Sequence, residues 1–177
     1  MSFQSPLLNV LAKKINSAYL LNGTKMYITN GYTADTLIVS AVTNPKADRK
    51  HAGLSLFIVP ASSQGIERRK INKLVWHPSD LATIVFQDCF VPEENLLGQI
   101  HEGFKEIMTI FNSSRIAIAA LTYGTALGAF KLALQRARRR ETFGKKIIEH
   151  QAKAFQFSEM AAELEAAKLL IIKAAWL

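Results

Sequence analysis

The residues with the clearest chemical signature lie between Arg136 and Lys146, where six cations surround a Thr-Phe-Gly break. A guanidinium carries a planar fork of donors that fits phosphate oxygens, and Gly144 allows a close backbone approach. Nucleic-acid surfaces interleave many aromatic rings with their cations, whereas only Phe143 does so here. The stretch therefore predicts contact with a phosphate-bearing molecule. The alternative is a solvated helix end that complements the helix dipole.

Other chemistry-bearing residues are sparse. The histidines are His51, His77, His101 and His150. Their wide spacing predicts no metal site, and neither a Gly-rich phosphate loop nor a Gly-x-Ser-x-Gly nucleophile turn occurs. Glu159 and Glu163 are one helical turn apart, and with Lys168 near them they favour a solvated face over a catalytic pair. The sequence predicts no catalytic residue.

Composition limits the kinds of protein this chain can be. It has 177 residues, 49% of them hydrophobic, which is enough for a sizeable core. A net charge of +8 favours acidic partners. Cys89 is the only cysteine, which predicts an intracellular, reducing compartment.

The N-terminus does not resemble a secretory signal, and the uncharged run 116–130 is too short to span a bilayer. We expect a buried helix there and no membrane span.

Residues 18–91 have the pattern of short strands separated by turns. Asn22-Gly23 and Asn30-Gly31 follow apolar-rich runs, and Asn-Gly is a strong hairpin signal because both residues tolerate positive φ. Further strands are expected over Thr36–Val42, Leu54–Val59 and Ala82–Val91. The pattern predicts a small antiparallel β-barrel or sandwich.

Beyond Gly98 the apolar period becomes helical. A first helix is expected from about Phe104 to Arg138, and a second from about Glu149 to Leu177. Small residues at roughly one-turn spacing on the first helix predict close approach by another helix; they are Ala117, Ala120, Gly124 and Gly128. The fold class is therefore α+β, with long antiparallel helices of a truncated bundle following the strands.

Several ordered motifs together resemble the acyl-CoA dehydrogenase family. They are Tyr19-Leu-Leu-Asn-Gly-Thr-Lys-Met-Tyr-Ile-Thr-Asn-Gly31, Gly53-Leu-Ser-Leu-Phe-Ile-Val59, Val85-Phe-Gln-Asp-Cys-Phe-Val-Pro-Glu-Glu-Asn-Leu-Leu-Gly98, Arg140-Glu-Thr-Phe-Gly-Lys145 and His150-Gln151. The resemblance implies part of the family's middle β-domain over residues 1–98. It also implies the first helices of the C-terminal domain over 99–177.

The resemblance implies an FAD-dependent enzyme that removes a proton and a hydride from the α and β carbons of an acyl-CoA thioester. Tyr27-Ile28-Thr29 matches the family motif Trp-Ile-Thr beside the flavin ring. By that match Thr29 hydrogen-bonds near the reactive flavin nitrogen and Tyr27 shields the ring. The segment that usually precedes this motif, ending in Gly-Ser-Asp, is not reproduced at Ser2-Phe3-Gln4.

The remaining site residues are carried over in the same way. Arg140, Thr142, Phe143 and Gln151 match residues that contact the adenosine diphosphate part of an FAD held mainly by a neighbouring subunit, with Ile147 and His150 lining that site. Asn112 and Arg115 match a substrate-site motif, where some members have Asp in place of Asn112.

The resemblance also bears on catalysis and partners. Most members place their catalytic glutamate beyond the span matched here, and the alternative position on the first helix is Ser114. The implied partners are an acyl-CoA, an electron-transfer acceptor protein and further copies of the chain as a dimer or tetramer. No nucleic acid is expected. The alternative function is a non-enzymatic binding module whose basic helix end holds an acidic partner or nucleic acid.

Overall fold

A computed structural model describes residues 10–49 and 51–177. The segment before Val10, which includes Ser2-Phe3-Gln4 and the start of the expected β-domain, lies outside the described residues. The chain divides into two compact units, Met1–Met108 and Thr109–Leu177. Each unit is described separately below.

The first unit is built on one seven-stranded sheet. Its strands are β1 (Val10–Ile15), β2 (Ala18–Thr29), β3 (Thr36–Val42), β4 (Leu54–Pro60), β5 (Ile66–Lys70), β6 (Leu81–Pro92) and β7 (Leu96–Leu97). The spatial order is β5-β6-β2-β1-β3-β4-β7. All neighbours are antiparallel except β1 and β3, which are parallel. The α+β class is confirmed. Among the described residues the sheet has two open edges, so it is not a closed barrel.

The sheet is strongly curved around its core. Tyr19 of β2 and Phe57 of β4 have ring centroids 4.9 Å apart, although β1 and β3 lie between their strands. A flat sheet would separate these two strands by about 14 Å, since neighbouring strands lie roughly 4.8 Å apart. Curvature therefore brings the inward faces of distant strands into one apolar cluster, which also includes Leu21, Val59 and Phe86.

The two Asn-Gly pairs do not form hairpins. Asn22-Gly23 lies inside β2, where the Asn22 side chain exchanges two 2.9 Å hydrogen bonds with the side chain and backbone N–H of Asp88. Asn30-Gly31 does form a turn, but β2 and β3 on either side of it are not neighbours in the sheet. The hairpin between β1 and β2 instead turns at Asn16, with φ of 47°. A side-chain pair across two strands thus replaces the turn that local propensity predicts.

The second unit consists of most of α1 (Gly103–Arg139), a short hairpin of β8 (Glu141–Thr142) and β9 (Lys145–Lys146), and α2 (Gln151–Trp176). Phe130 of α1 and Phe157 of α2 meet edge to face, with centroids 5.9 Å apart. The expectation of a buried helix over 116–130 is wrong for this chain, because these residues are exposed or half-buried. Only α2 is present to cover them within the unit, and one helix covers one face.

By length and composition alone α1 could cross a membrane, with a mean hydropathy of 1.5 in its most apolar window. The core helix of a soluble protein can have the same length and composition, so one such helix is weak evidence for a membrane span. The close helix contact predicted at the small residues is not made within the described chain. A Cβ atom added at Gly124 or Gly128 would have no neighbour within 4 Å.

Candidate functional site

The end of β2 carries the three residues expected beside a flavin ring. The pairing of β2 with β6 shifts register between Lys25 and Ile28, and Tyr27 has a φ of 60°. This bulge moves the inward-facing positions from odd to even residue numbers. Before it Lys25 is buried, and after it Ile28 packs against the core. The Tyr27 ring is consequently left 68% exposed, and Thr29 is also exposed. An aromatic ring and a hydroxyl group are thus both exposed at the end of the strand.

The turn after Thr29 is fixed by one carboxylate. Asp80 accepts hydrogen bonds from the Thr33 hydroxyl at 2.7 Å and from the Tyr32 backbone N–H at 2.8 Å. The Thr33 hydrogen bond and the Tyr32 N–H lower the pKa of Asp80 below its usual value. Asp80 comes directly before β6, a position at which a carboxylate commonly stabilises a turn. The carboxylate anchors the end of the strand that carries Tyr27.

Lys25 was not predicted as part of this region. Its ammonium group donates to Ser40 Oγ at 3.0 Å, and the side chain is only 9% exposed. Burial lowers its pKa to about 8, since a charged ammonium is poorly solvated there. The signal that could have found it is its period-two spacing from Leu21, a core position in the same strand. A charge-bearing side chain therefore lies two residues before Tyr27.

In the second unit, the break at residues 140–150 is a tight hairpin. Phe143 and Gly144 connect β8 to β9 with φ values of 51° and 79°, which are the positive angles of a two-residue type I′ turn. The hairpin is closed at its base by the Ile147 N–H donating to the Arg140 carbonyl at 2.9 Å. The Phe143 ring is 99% exposed at the tip. Backbone geometry thus presents this ring outward beside the end of α1.

Thr142 and His150 are brought together across this hairpin. His150 Nε2 lies 3.1 Å from the Thr142 carbonyl oxygen and 3.4 Å from its hydroxyl. A carbonyl oxygen can only accept, so Nε2 is the donor in the contact with the Thr142 carbonyl. Ile147 is half-buried beside them, and Gln151 is exposed as the first residue of α2. The expected adenosine-side residues are therefore contiguous on one ordered turn.

The cations at the end of α1 have no carboxylate partner in the described part of the chain. Ion pairs occur at four other places. Arg136, Arg139 and Arg140 line one concave pocket of about 390 Å³ together with Leu132 and Gln135. Unpaired guanidinium groups in a concavity suit an anionic ligand.

The two expected substrate residues are also neighbours. Arg115 Nη1 donates weakly to Asn112 Oδ1 at 3.5 Å, one turn away on α1. Ser114, the position that the resemblance implies as the alternative one for a catalytic glutamate, donates its hydroxyl to the Phe111 carbonyl at 3.1 Å. Its side chain is thus engaged with its own helix.

Of the expected site residues, Tyr27, Ile28 and Thr29 belong to the first unit, whereas Asn112, Arg115 and those of the hairpin belong to the second. Within the described residues no group of three or more His, Cys, Asp or Glu side chains could hold a metal ion.

Comparison with known proteins gives consistent matches along the chain. Residues 3–89 match the family model described as acyl-CoA dehydrogenase, middle domain. Residues 101–177 match acyl-CoA dehydrogenase, C-terminal domain.

Individual relatives agree with the family models. An acyl-CoA dehydrogenase of Bacillus subtilis is 40% identical over 169 residues, which cover 95% of this chain and 44% of that protein. A short-chain specific acyl-CoA dehydrogenase of Megasphaera elsdenii is 37% identical over 167 residues, covering 94% and 43%. The crystal structure of an acyl-CoA dehydrogenase from Geobacillus kaustophilus superposes with a TM-score of 0.93 at 34% identity, covering 96% and 45%. The chain thus spans less than half the length of the relatives it matches.

Proposed function

Because the chain belongs to the acyl-CoA dehydrogenase family, we propose that it forms the cofactor-facing part of an FAD-dependent enzyme that dehydrogenates acyl-CoA thioesters. When bound, FAD accepts a hydride from the substrate. Residues 1–98 form the family's middle β-domain in this proposal, and 99–177 form the first helices of its C-terminal domain. The catalytic base lies outside this chain.

The observation that carries the proposal is the hairpin after α1. It holds an exposed aromatic ring at Phe143, and the unpaired guanidinium of Arg140 lies in the concavity beside it. An adenosine diphosphate group needs both elements, a donor fork for the pyrophosphate and a flat apolar surface for the adenine. Thr142 and His150 fix the hairpin through their mutual contact. Gln151 at the start of α2 adds an amide within the same turn.

At the other end of the cofactor, β2 supplies the surface for the flavin ring. Tyr27 would cover one face of the ring, Thr29 would donate a hydrogen bond at its edge, and Ile28 would hold the strand against the core. The bulge at Tyr27 supports this assignment, because the aromatic side chain is exposed while Lys25 and Ile28, on either side of the bulge, remain paired with β6. Asn112 and Arg115 would lie at the acyl-CoA.

Exposed apolar side chains on both helices support association with further copies of the chain, as a dimer or tetramer. They include Ile118, Leu121, Leu132, Phe155, Leu169 and Leu170. Faces of this kind are usually covered by other protein surface. An electron-transfer acceptor protein completes the proposed reaction, and the free, buried Cys89 thiol is consistent with an intracellular, reducing compartment.

The experiment uses a chimera in which the matched segment of the Megasphaera elsdenii relative is replaced by this chain. Each protein is mixed with a short-chain acyl-CoA and an artificial electron acceptor. We expect dye reduction by the chimera and none above the no-protein rate by the chain alone. Dye reduction by the chain alone would overturn the claim that the base lies elsewhere. A folded chimera that holds flavin but does not turn over would count against the assigned reaction.

A further inference from the structure

The loop between β5 and β6 carries three consecutive exposed apolar residues at its tip. Leu74, Val75 and Trp76 are 92%, 68% and 65% exposed. Single apolar residues on a surface are ordinary, but three in sequence at the tip of a loop form a contiguous projecting patch. Neither the dehydrogenase reaction nor the cofactor contacts proposed above involve this tip.

Hydrogen bonds hold the tip in this projecting form. The Ile71 N–H donates to the Leu81 carbonyl at 2.7 Å and closes the base of the loop. Nearer the tip, the Lys73 ammonium donates to the Trp76 carbonyl at 2.6 Å, and Trp76 has a φ of 62°. The backbone is thus turned back on itself at the tip, where all three apolar side chains are exposed.

The surroundings of the tip are basic. Residues 68–80 contain four Lys or Arg residues and one carboxylate. The carboxylate, Asp80, is occupied by hydrogen bonds from the Tyr32 N–H and the Thr33 hydroxyl. Of the cations, Arg68 is bound to backbone carbonyls and Arg69 is paired with Glu67. Lys70 and Lys73 line a pocket of about 330 Å³ directly beside the tip, together with His77 and Asp80.

We propose that the Leu74-Val75-Trp76 tip docks the protein on an anionic lipid surface. The tip projects rather than forming a groove, so it suits insertion among headgroups and upper acyl chains. Trp residues favour this depth because their rings are apolar while the indole N–H is polar. The adjacent lysines meet lipid phosphates, and each such cation strengthens attachment to an anionic leaflet. With only three apolar side chains inserted, attachment is reversible.

The two tryptophans of the chain lie in different units, which allows a direct test. Trp176→Phe leaves Trp76 as the sole reporter, and Trp76→Phe leaves Trp176 as the matched control, itself 90% exposed. Each variant is mixed with vesicles of phosphatidylcholine, alone or with phosphatidylglycerol, that carry bromine-labelled acyl chains. We expect a blue shift and quenching of Trp76 with the anionic vesicles only, and no change at Trp176. Quenching of Trp176 alone, or of neither residue, would overturn the proposal.

Substitutions separate the tip from other apolar surface. In vesicle co-sedimentation, Leu74→Ser should lower the partition coefficient roughly fivefold to tenfold, and Lys70→Gln should weaken binding most at low salt. Leu132, on α1, is 70% exposed against 92% for Leu74, and Leu132→Ser should change neither the partition coefficient nor its salt dependence. If Leu74→Ser leaves vesicle binding unchanged, the lipid proposal is wrong. If this substitution instead alters only self-association in gel filtration without lipid, the tip contacts a second copy. Melting curves confirm that each variant is folded.

Discussion

Among single side chains, Arg140 has the most specific expected contact. It shares its pocket with Arg136 and Arg139, but only Arg140 also closes the base of the hairpin, through its carbonyl. Its backbone is therefore part of the hairpin that carries the exposed Phe143 ring. Arg138 lies one turn from the hairpin, outside that pocket, and provides charge without this geometry.

We predict that Arg140→Ala in the chimera weakens FAD binding by about 1.5–3 kcal/mol, or roughly tenfold to a hundredfold, because one charge-assisted phosphate contact is lost. Titration followed by flavin fluorescence measures the dissociation constant. Arg138→Ala is the matched control, since it removes the same charge from the same helix end. Equal effects of the two substitutions would mean that general charge, and not the hairpin geometry, holds the ligand.

Lys25 gives a prediction about pH. Its pKa is about 8 in the folded chain, against 10.5 when exposed, so above pH 8 the folded state loses its proton before the unfolded state does. The free energy of unfolding should therefore rise between about pH 8 and 10.5, by up to about 3 kcal/mol. Urea unfolding at pH 7.5 and 9.5 measures this. Lys25→Met should abolish the rise, whereas Lys13→Met, at an exposed position, should retain it. A rise that persists in Lys25→Met contradicts the assignment of the pH dependence to Lys25.

At the scale of elements, periodicity predicted most of the regular structure. β3 was expected at its observed bounds, β4 and β6 to within one residue at each end, and both long helices to within about two residues at each end. Periodicity failed where the register shifts. In β6 the buried positions change from Ala82, Ile84 and Phe86 to Cys89 and Val91 across the bulge at Asp88. Such a shift depends on a partner strand, which a local pattern does not contain.

The same reasoning applies to the candidate site. The motif residues of β2 and of the hairpin could be carried over from family resemblance, but their orientation could not. Tyr27 faces outward because of a bulge, and Phe143 because of two positive φ angles. Lys25 was missed because a lysine in an alternating strand is ordinarily assigned to the solvent face. Its burial follows from the curvature of the sheet around Ser40.

Two glycines test the packing of these elements. A Cβ at Gly53 would overlap the Asn44 carbonyl, whereas one at Gly124 would meet no atom within 4 Å. We therefore expect Gly53→Ala to destabilise the chain by roughly 1–3 kcal/mol, and Gly124→Ala to stabilise α1 by roughly 0.5–1 kcal/mol. Urea unfolding of the two variants measures both changes. If Gly124→Ala stabilises the chain but destabilises the chimera, a further helix packs on α1 at that glycine.

Across the whole molecule, the two units differ in how much of their apolar surface is buried. Among its described residues the first has an apolar core of fifteen buried side chains. The second leaves most apolar side chains of α1 and α2 exposed, and its two helices enclose only a groove of about 530 Å³. Because the chain spans 43–45% of the length of the three relatives compared above, we propose that other protein surface covers these side chains.

We propose that the basic hairpin binds a flavin and not a nucleic acid or an acidic partner. Thermal unfolding of the chimera, with and without added FAD and with and without duplex DNA, tests it most directly, because a ligand that binds only the folded state raises the melting temperature. We expect that FAD raises the melting temperature in a saturable manner and that DNA has no effect at physiological salt. No stabilisation by FAD, together with DNA binding that falls steeply with salt, would contradict it.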